Sequence, residues 1–156
     1  QQQGDVGLVG ALGLPGVVEG VDDPAVGDAG PLGLEEGGVD GFPGARRLGA
    51  VGAEIDLPSA QKAAAICAMR ALAFMQRAAG SLDAVRAVTR ITVYVRSDPA
   101  FTQQSEVADG ASDVFARVLG AAGGHSRTSV GVLQLPKGAA VEVDAVALLQ
   151  PMAGQR

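Results

Sequence analysis

The segment VTRITVYVR, residues 88–96, is the most regular strand pattern in this chain and decides its fold. Ile91, Val93 and Val95 alternate with other residue types, and side chains two positions apart point to the same face of a strand. One face of this strand is therefore predicted to be buried. The opposite face is polar and carries Arg90, Thr92, Tyr94 and Arg96. A polar face on an otherwise buried strand indicates that it lines a subunit interface.

An alanine-rich helix is predicted ahead of this strand, over residues 58–79. Either Ser59 caps its N-terminus, or Pro58 occupies its first turn, because both residues favour that end of a helix. Helical spacing places Ile66, Met69, Ala73 and Gln76/Arg77 on one face, with Leu72, Met75 and Ala79 flanking the same side.

A second helix and two more strands are predicted after residue 96. The helix covers about residues 103–119, and the strands cover 128–135 and 140–149. Proline and glycine in the connection at 136–138 favour an antiparallel hairpin between these two strands. The predicted fold class is therefore α+β, with an antiparallel or mixed sheet and two helices packed on one face.

The composition fits one domain and argues against several classes of protein. The chain has 156 residues, 47 % of them hydrophobic and 19 % charged, and a net charge of −5. This charge disfavours a nucleic-acid partner bound through its phosphates. A single cysteine, Cys67, and a single histidine, His125, argue against a disulfide framework and against a metal site. No stretch has the length of a membrane span, and we expect a cytoplasmic protein without a membrane partner.

The first third of the chain differs from the rest. Residues 1–53 hold 15 of the 23 glycines, and eight acidic residues against two basic ones. Three interpretations remain open: a collagen-like helix, whose glycine period fails by Gly20; a flexible acidic tail; or a GC-rich gene read in the wrong frame or from a misplaced start. We expect residues 1–48 to be poorly ordered or non-native, residues 49–150 to form the domain, and residues 151–156 to be a tail.

Few residues in the chain are candidates for chemistry. We interpret His125 as a solvent-exposed loop residue, because its neighbours are glycines and a serine. Cys67, inside the alanine-rich helix, is interpreted as a small buried apolar residue. Asp109 and Asp113 lie one helical turn apart, and a solvated acidic face is the simplest interpretation of that pair.

The last two predicted strands carry the charged residues of interest. Arg127 precedes Ser129 in the first strand, while Glu142 and Asp144 share one face of the second. Charged side chains within apolar strands need partners. One interpretation is an interstrand or intersubunit salt bridge. The other is an anion clamp, in which Arg127 makes a two-point contact with a substrate carboxylate and a nearby carboxylate holds a water or relays a proton.

Three segments near the C-terminus resemble the signature of the reactive intermediate deaminase family, also called RidA or YjgF-like. They are RTSVGV at 127–132, LPKGA at 135–139 and VEVDAVA at 141–147. The resemblance covers about residues 49–149, and the run from Asp98 to Arg127 is similar to one branch of that family.

The resemblance implies a chorismate-mutase-like fold and a homotrimer with ligand clefts between subunits. It also implies hydrolysis of reactive 2-imino or enamine acids, of the 2-aminoacrylate type, to 2-keto acids and ammonia, without a cofactor. In that case Arg127 matches the arginine that binds the substrate carboxylate, and Glu142 matches the glutamate that positions the attacking water. Ser129 matches a small residue of the substrate pocket.

Two alternatives to a deaminase remain open. One is a non-catalytic homotrimeric module that binds small carboxylate metabolites, and the other is a defective product with an aberrant N-terminus. The family begins with strands that supply a serine and a tyrosine to the pocket. This chain has no serine before Ser59 and no tyrosine before Tyr94. The first strands are therefore expected to be divergent or missing.

Overall fold

The computed structural model of the protein describes residues 12–14 and 48–150, which form helices packed on a β-sheet. The elements, in chain order, are β1 (Leu12–Leu14), α1 (Leu57–Ala79), β2 (Val85–Arg96), α2 (Gln104–Leu119), β3 (Ser126–Val132) and β4 (Val141–Leu149). The expectation of a poorly ordered or non-native segment at 1–48 lies outside the described residues, except for β1 and Leu48. The expected tail at 151–156 lies entirely outside them.

The sheet is mixed, and its strand order is β1-β4-β2-β3. Strand β4 is antiparallel to both β1 and β2, whereas β2 and β3 are parallel. Helix α2 makes the crossover that a parallel pair requires. The prediction of an α+β fold with two helices on one face of the sheet is confirmed. Strand β1 was not predicted, because the first third of the sequence shows no clear alternation of apolar and polar residues.

The predicted hairpin between the last two strands is wrong, because β2 lies between β3 and β4. The connection instead crosses the end of β2. Residues 136–138 form a short 3-10 turn in which Lys137 and Gly138 have φ values of 56° and 72°. The Arg96 side chain donates to the carbonyl of Gly138, and the Arg96 backbone N–H donates to the carbonyl of Ala140. The turn that contains Pro136 and Gly138 therefore joins β3 to β4, two strands that are separated by β2.

Of the two alternatives for the start of helix α1, Pro58 in the first turn is confirmed, whereas Ser59 as the N-cap is wrong. Asp56 is the N-cap, and its side chain accepts from the backbone N–H of Ser59, while Pro58 occupies the first turn. Ser59 is therefore capped rather than capping. The predicted apolar face is correct for Leu72, Met75 and Ala79, which are buried, but wrong for Met69, which is 47 % exposed. The buried face consists mostly of small residues: Ala60, Ala63, Ala64, Cys67, Ala68, Ala71, Leu72, Met75 and Ala79.

The small side chains of α1 allow α2 to pack closely against it. A Cβ atom added to Gly110 of α2 would lie 2.8 Å from the carbonyl carbon of Gln61 in α1. The Gln61 side chain also donates to the carbonyl of Glu106, over 2.9 Å. The glycine in the middle of α2, which costs helix propensity, is explained by this contact between the two backbones. The two helices are therefore in close backbone contact at this point.

Candidate functional site

Arg127 lies on the face of the sheet that the helices cover. It pairs in register with Ile91, which is fully buried under the helices. Its Nη1 atom donates to Oδ1 of Asp109 over 2.7 Å and to Oγ of Ser112 over 3.0 Å. Among the described residues, no hydrogen bond involves Nε or Nη2. These two donors form the edge of a guanidinium that binds a carboxylate in two-point geometry.

Helix α2 supplies both partners of Arg127 from a single face. Asp109 and Ser112 are three residues apart, a spacing that brings side chains together on a helix. The Arg127 side chain is 27 % exposed and that of Asp109 is 53 % exposed. The guanidinium is thus held at the protein surface and remains accessible.

His125 extends this arrangement beneath the surface. Its Nε2 lies 3.0 Å from Oγ of Ser112, and its Nδ1 lies 2.6 Å from the carbonyl oxygen of Gly123. The ring also makes an edge contact with Phe115, at 5.7 Å between centroids. His125 is half-buried and bonded at both nitrogens. His125 lies in the loop before β3, as predicted, but the interpretation as a solvent-exposed residue is wrong.

Ser129 shares the face of Arg127, two residues further along β3. It pairs in register with the buried Val93 and is itself half-buried. The structure therefore brings Arg127 and Ser129 to the same side of the sheet.

Glu142 lies on the opposite face of the sheet. It pairs in register with Tyr94, and its neighbours Val141 and Val143 are buried under the helices. Side chains alternate along a strand, so Glu142 projects away from the helices. The structure does not bring Arg127 and Glu142 together within one protomer. The carboxylate that contacts Arg127 is that of Asp109, rather than one from β4.

Glu142 occupies an environment that disfavours its charge. Burial, and secondarily the nearby Asp144, raise the pKa of the Glu142 carboxyl above its ordinary value. The Oδ1 atom of Asp144 is itself buried and has no hydrogen-bond partner among the described residues. A raised pKa makes the ionised carboxylate a stronger base.

The described residues offer little other chemistry. Cys67 is buried in α1, and burial raises the pKa of its thiol to about 11, so the interpretation as a small apolar residue is confirmed. Residues 12–14 and 48–150 contain no group of three or more side chains of the types His, Cys, Asp and Glu placed to hold a metal. In the same part of the chain, none of the helices is both long and apolar enough to cross a membrane.

Two partners of Arg127 were not identified from the sequence. The sequence alone indicates a solvated face for Asp109 and gives no role to Ser112. Their i, i+3 spacing on a helix that crosses over β3 is the signal that could have indicated them. Their pairing with Arg127 depends on the parallel arrangement of β2 and β3, which the sequence did not predict.

Comparisons with known proteins support the resemblance. Protein TCP17 of Trypanosoma cruzi is 50 % identical over 99 residues, which are 63 % of this chain but only 62 % of that relative. The structure of Atu1372, a protein of unknown function from Agrobacterium tumefaciens, is 41 % identical with a TM-score of 0.66, and the match covers 67 % of this chain and 68 % of that one. A candidate endoribonuclease from Shewanella oneidensis shares the fold, at 20 % identity and a TM-score of 0.69 over 96 % of this chain and 88 % of that one. Residues 49–149 match the family described as Endoribonuclease L-PSP, and the chain therefore belongs to this family, the RidA/YjgF family.

Proposed function

We propose that this protein is a hydrolytic deaminase of reactive 2-imino and enamine acids. Arg127 binds the substrate carboxylate, and Ser129 lines the pocket beside it. The observation that carries the proposal is the hydrogen bonding of Arg127, whose Nη1 is held by Asp109 and Ser112. This leaves the Nε–Nη2 edge free, among the described residues, for the two oxygens of a carboxylate.

The reaction needs a water and a proton acceptor. Water adds to the carbon of the C=N bond of the imino acid, and the resulting aminoalcohol loses ammonia to give the 2-keto acid. Glu142 orients this water, accepts one of its protons and passes it to the imine nitrogen, which gives the aminoalcohol. The hydroxyl proton of the aminoalcohol then reaches the nitrogen through the same carboxyl group, and the nitrogen leaves as ammonia. The raised pKa of Glu142 supports this role, because it brings the carboxyl nearer to the working pH. No cofactor enters these steps.

The two halves of the proposed site come from different copies of the chain. Arg127 and Glu142 lie on opposite faces of the sheet in one protomer, so they cannot line the same cleft there. We place the site between subunits of a homotrimer, with Arg127 from one copy and Glu142 from its neighbour. The position of β3 at the edge of the sheet supports this arrangement, since an edge strand is accessible to a second chain.

An imine-quenching assay tests the activity. An amino-acid oxidase generates 2-imino acids, semicarbazide traps them, and an active deaminase removes them before trapping. We expect the wild-type protein to lower the semicarbazone signal, and Arg127→Ala to abolish this effect without changing oligomer size. Arg117→Ala is the matched control, because Arg117 is an exposed arginine of α2. Retained activity in Arg127→Ala would contradict the carboxylate clamp.

Mixing two inactive variants tests whether the site is shared. Arg127→Ala protomers keep Glu142, and Glu142→Gln protomers keep Arg127. If the site combines both residues from neighbours, refolding the variants together restores activity at about a quarter of the sites by random association. If both residues act within one protomer, the mixture stays inactive.

A non-catalytic module that binds small carboxylates is the second candidate. It is favoured by the fact that the arginine half of the site is complete within one protomer, whereas Glu142 is remote from it. Saturable binding of pyruvate without any imine turnover would support this candidate over the deaminase.

Ribonuclease activity, which the family description names, receives weak support from this chain. The net charge is −5 and only 3 % of the residues are aromatic. Binding of RNA relies on cationic contacts with phosphates and on stacking of bases on aromatic rings. We therefore assign the site to a small carboxylate in the cytoplasm rather than to a polynucleotide.

A further inference from the structure

The hydrogen bond to Asp109 alone does not explain how Arg127 is held in place. The Asp109 side chain is 53 % exposed, and ion pairs between exposed side chains are weak because water and salt screen them. The same Nη1 atom also donates to Oγ of Ser112, which is half-buried. The orientation of the guanidinium therefore depends on how the hydroxyl of Ser112 is oriented.

The tautomer of the His125 ring, that is, which of its two nitrogens carries the proton, determines the orientation of the Ser112 hydroxyl. The carbonyl oxygen of Gly123 can only accept, so the Nδ1 atom of His125, 2.6 Å away, carries the proton. In a neutral imidazole the other nitrogen is then an acceptor. The hydroxyl of Ser112, 3.0 Å from Nε2, donates its only proton to it. The lone pairs of the Ser112 oxygen are thereby left for Arg127.

The position of the imidazole is fixed independently of Arg127. Its ring contacts the edge of Phe115, a fully buried residue of α2. Gly123, which accepts from Nδ1, is buried in the 3-10 turn that precedes β3. The ring is therefore held by the core and by the backbone.

We propose that Asp109, Ser112 and His125 are positioning residues for Arg127, and we call them the Arg127 frame. His125 acts through Ser112, by taking the hydroxyl proton and so making the hydroxyl oxygen an acceptor for Nη1. The frame directs the Nε–Nη2 edge toward a planar carboxylate. This inference rests on the proposed function for its ligand, but the geometry of the frame can be measured without any turnover.

The tautomer of His125 is the first measurement. His125 is the only histidine of the chain, so its ring nitrogens can be assigned without variants in tag-free protein labelled with ¹⁵N. Proton–nitrogen correlation spectra at pH 8 are expected to show a protonated Nδ1 and an unprotonated Nε2. A protonated Nε2 in the neutral ring would overturn the proposal, because Ser112 would then be the acceptor from His125.

Binding and kinetics give the second measurement. Ser112→Ala and His125→Ala are each expected to weaken pyruvate binding and to raise KM for the imino acid by about tenfold, with a smaller change in kcat. Ser112→Thr keeps a hydroxyl and is expected to restore most of the affinity. Ser105→Ala is the matched control, since the Ser105 hydroxyl is bonded to Glu106 on the same helix. Equal affinities for Ser112→Ala and Ser105→Ala would overturn the role of the frame.

A failure of the proposed function gives a different pattern. If wild-type protein neither binds pyruvate nor turns over imines, the carboxylate site is wrong, and the Nε–H signal of Arg127 decides the frame by itself. That signal, assigned by comparison with Arg127→Lys, is expected to broaden or exchange faster in Ser112→Ala and His125→Ala but not in Ser105→Ala. An identical signal in all these variants would overturn the frame.

Discussion

Replacing Gly110 with alanine tests whether the approach of the two helices positions the site. On an exposed helix face, this substitution stabilises a protein by about 0.8–1.0 kcal/mol, because alanine has the higher helix propensity. Here the added Cβ would lie 2.8 Å from the carbonyl carbon of Gln61 and 3.0 Å from its Cα. Carbon atoms in contact are ordinarily about 3.5–4.0 Å apart. Helix α2 must therefore recede by about 1 Å, because the obstructing atoms belong to the backbone.

The net effect of Gly110→Ala follows from these opposing contributions. Inserting a methyl group into a packed interface costs about 1–3 kcal/mol, and the cost should lie in the upper part of this range because the obstructing atoms are backbone. After the gain in helix propensity of about 1 kcal/mol, we expect a net loss of about 1–2 kcal/mol, which lowers Tm by roughly 4–16 °C for a domain of about a hundred residues. A shift of about 1 Å also displaces Asp109 and Ser112, so pyruvate binding at Arg127 should weaken.

Thermal unfolding at matched protomer concentration measures this effect. Gly124→Ala is the control, because Gly124 has a φ of −69° and its added Cβ would approach only the carbonyl of Ala121, at 3.5 Å. We expect the control to be neutral or slightly stabilising. An unchanged or higher Tm for Gly110→Ala would refute the argument that the helices are in backbone contact there.

Three further predictions concern a cap, a thiol and a carboxyl group. Asp56→Ala removes the acceptor for the Ser59 N–H, and we expect urea denaturation to show a loss of about 1 kcal/mol. Cys67, with a pKa of about 11, should react with a thiol reagent at pH 8 at least about a hundredfold more slowly than after unfolding, and fast native labelling would contradict its burial. If ionised Glu142 is needed for turnover, activity should fall as the pH drops through its raised pKa, and Asp144→Asn, which removes one cause of that rise, should move this acid limb to lower pH. An acid limb unmoved by Asp144→Asn would count against Glu142 as the proton acceptor.

Local patterns in the sequence predicted the elements because each element is largely set by its own residues. The alternation from Ile91 to Val95 gave the central strand, whose three apolar residues are all fully buried. Pro58 and Ser59 at the start of α1, and the glycines that follow both helices, gave the extents of the helices to within a few residues. The buried face of α1 was predicted only in part, because alanine carries little hydrophobic signal, although its small size is what allows close packing.

The pairing of the strands was not available from local patterns. A turn containing Pro136 and Gly138 is compatible with a hairpin and equally with a connection across the end of a third strand. The choice depends on α2, which returns the chain parallel to β2 and places β3 at the edge of the sheet. Strand β4 then pairs with the other side of β2. Which strands pair is therefore determined by the packing of the complete sheet and its helices, and the residues of the turn alone do not determine it.

The residues of the candidate site could be identified from local sequence patterns, but their arrangement in space could not. Arg127 and Glu142 were found because charged residues in apolar strands are conspicuous, and the family resemblance gave each a role. Their separation on opposite faces follows from the register of β3 and β4 on either side of β2, which no local pattern encodes. The same register turns Arg127 toward α2, where Ser112 and His125 can hold it. The arrangement that we propose also explains why the sheet has a polar face on the side away from the helices. That face supplies Glu142 to the cleft of a neighbouring copy.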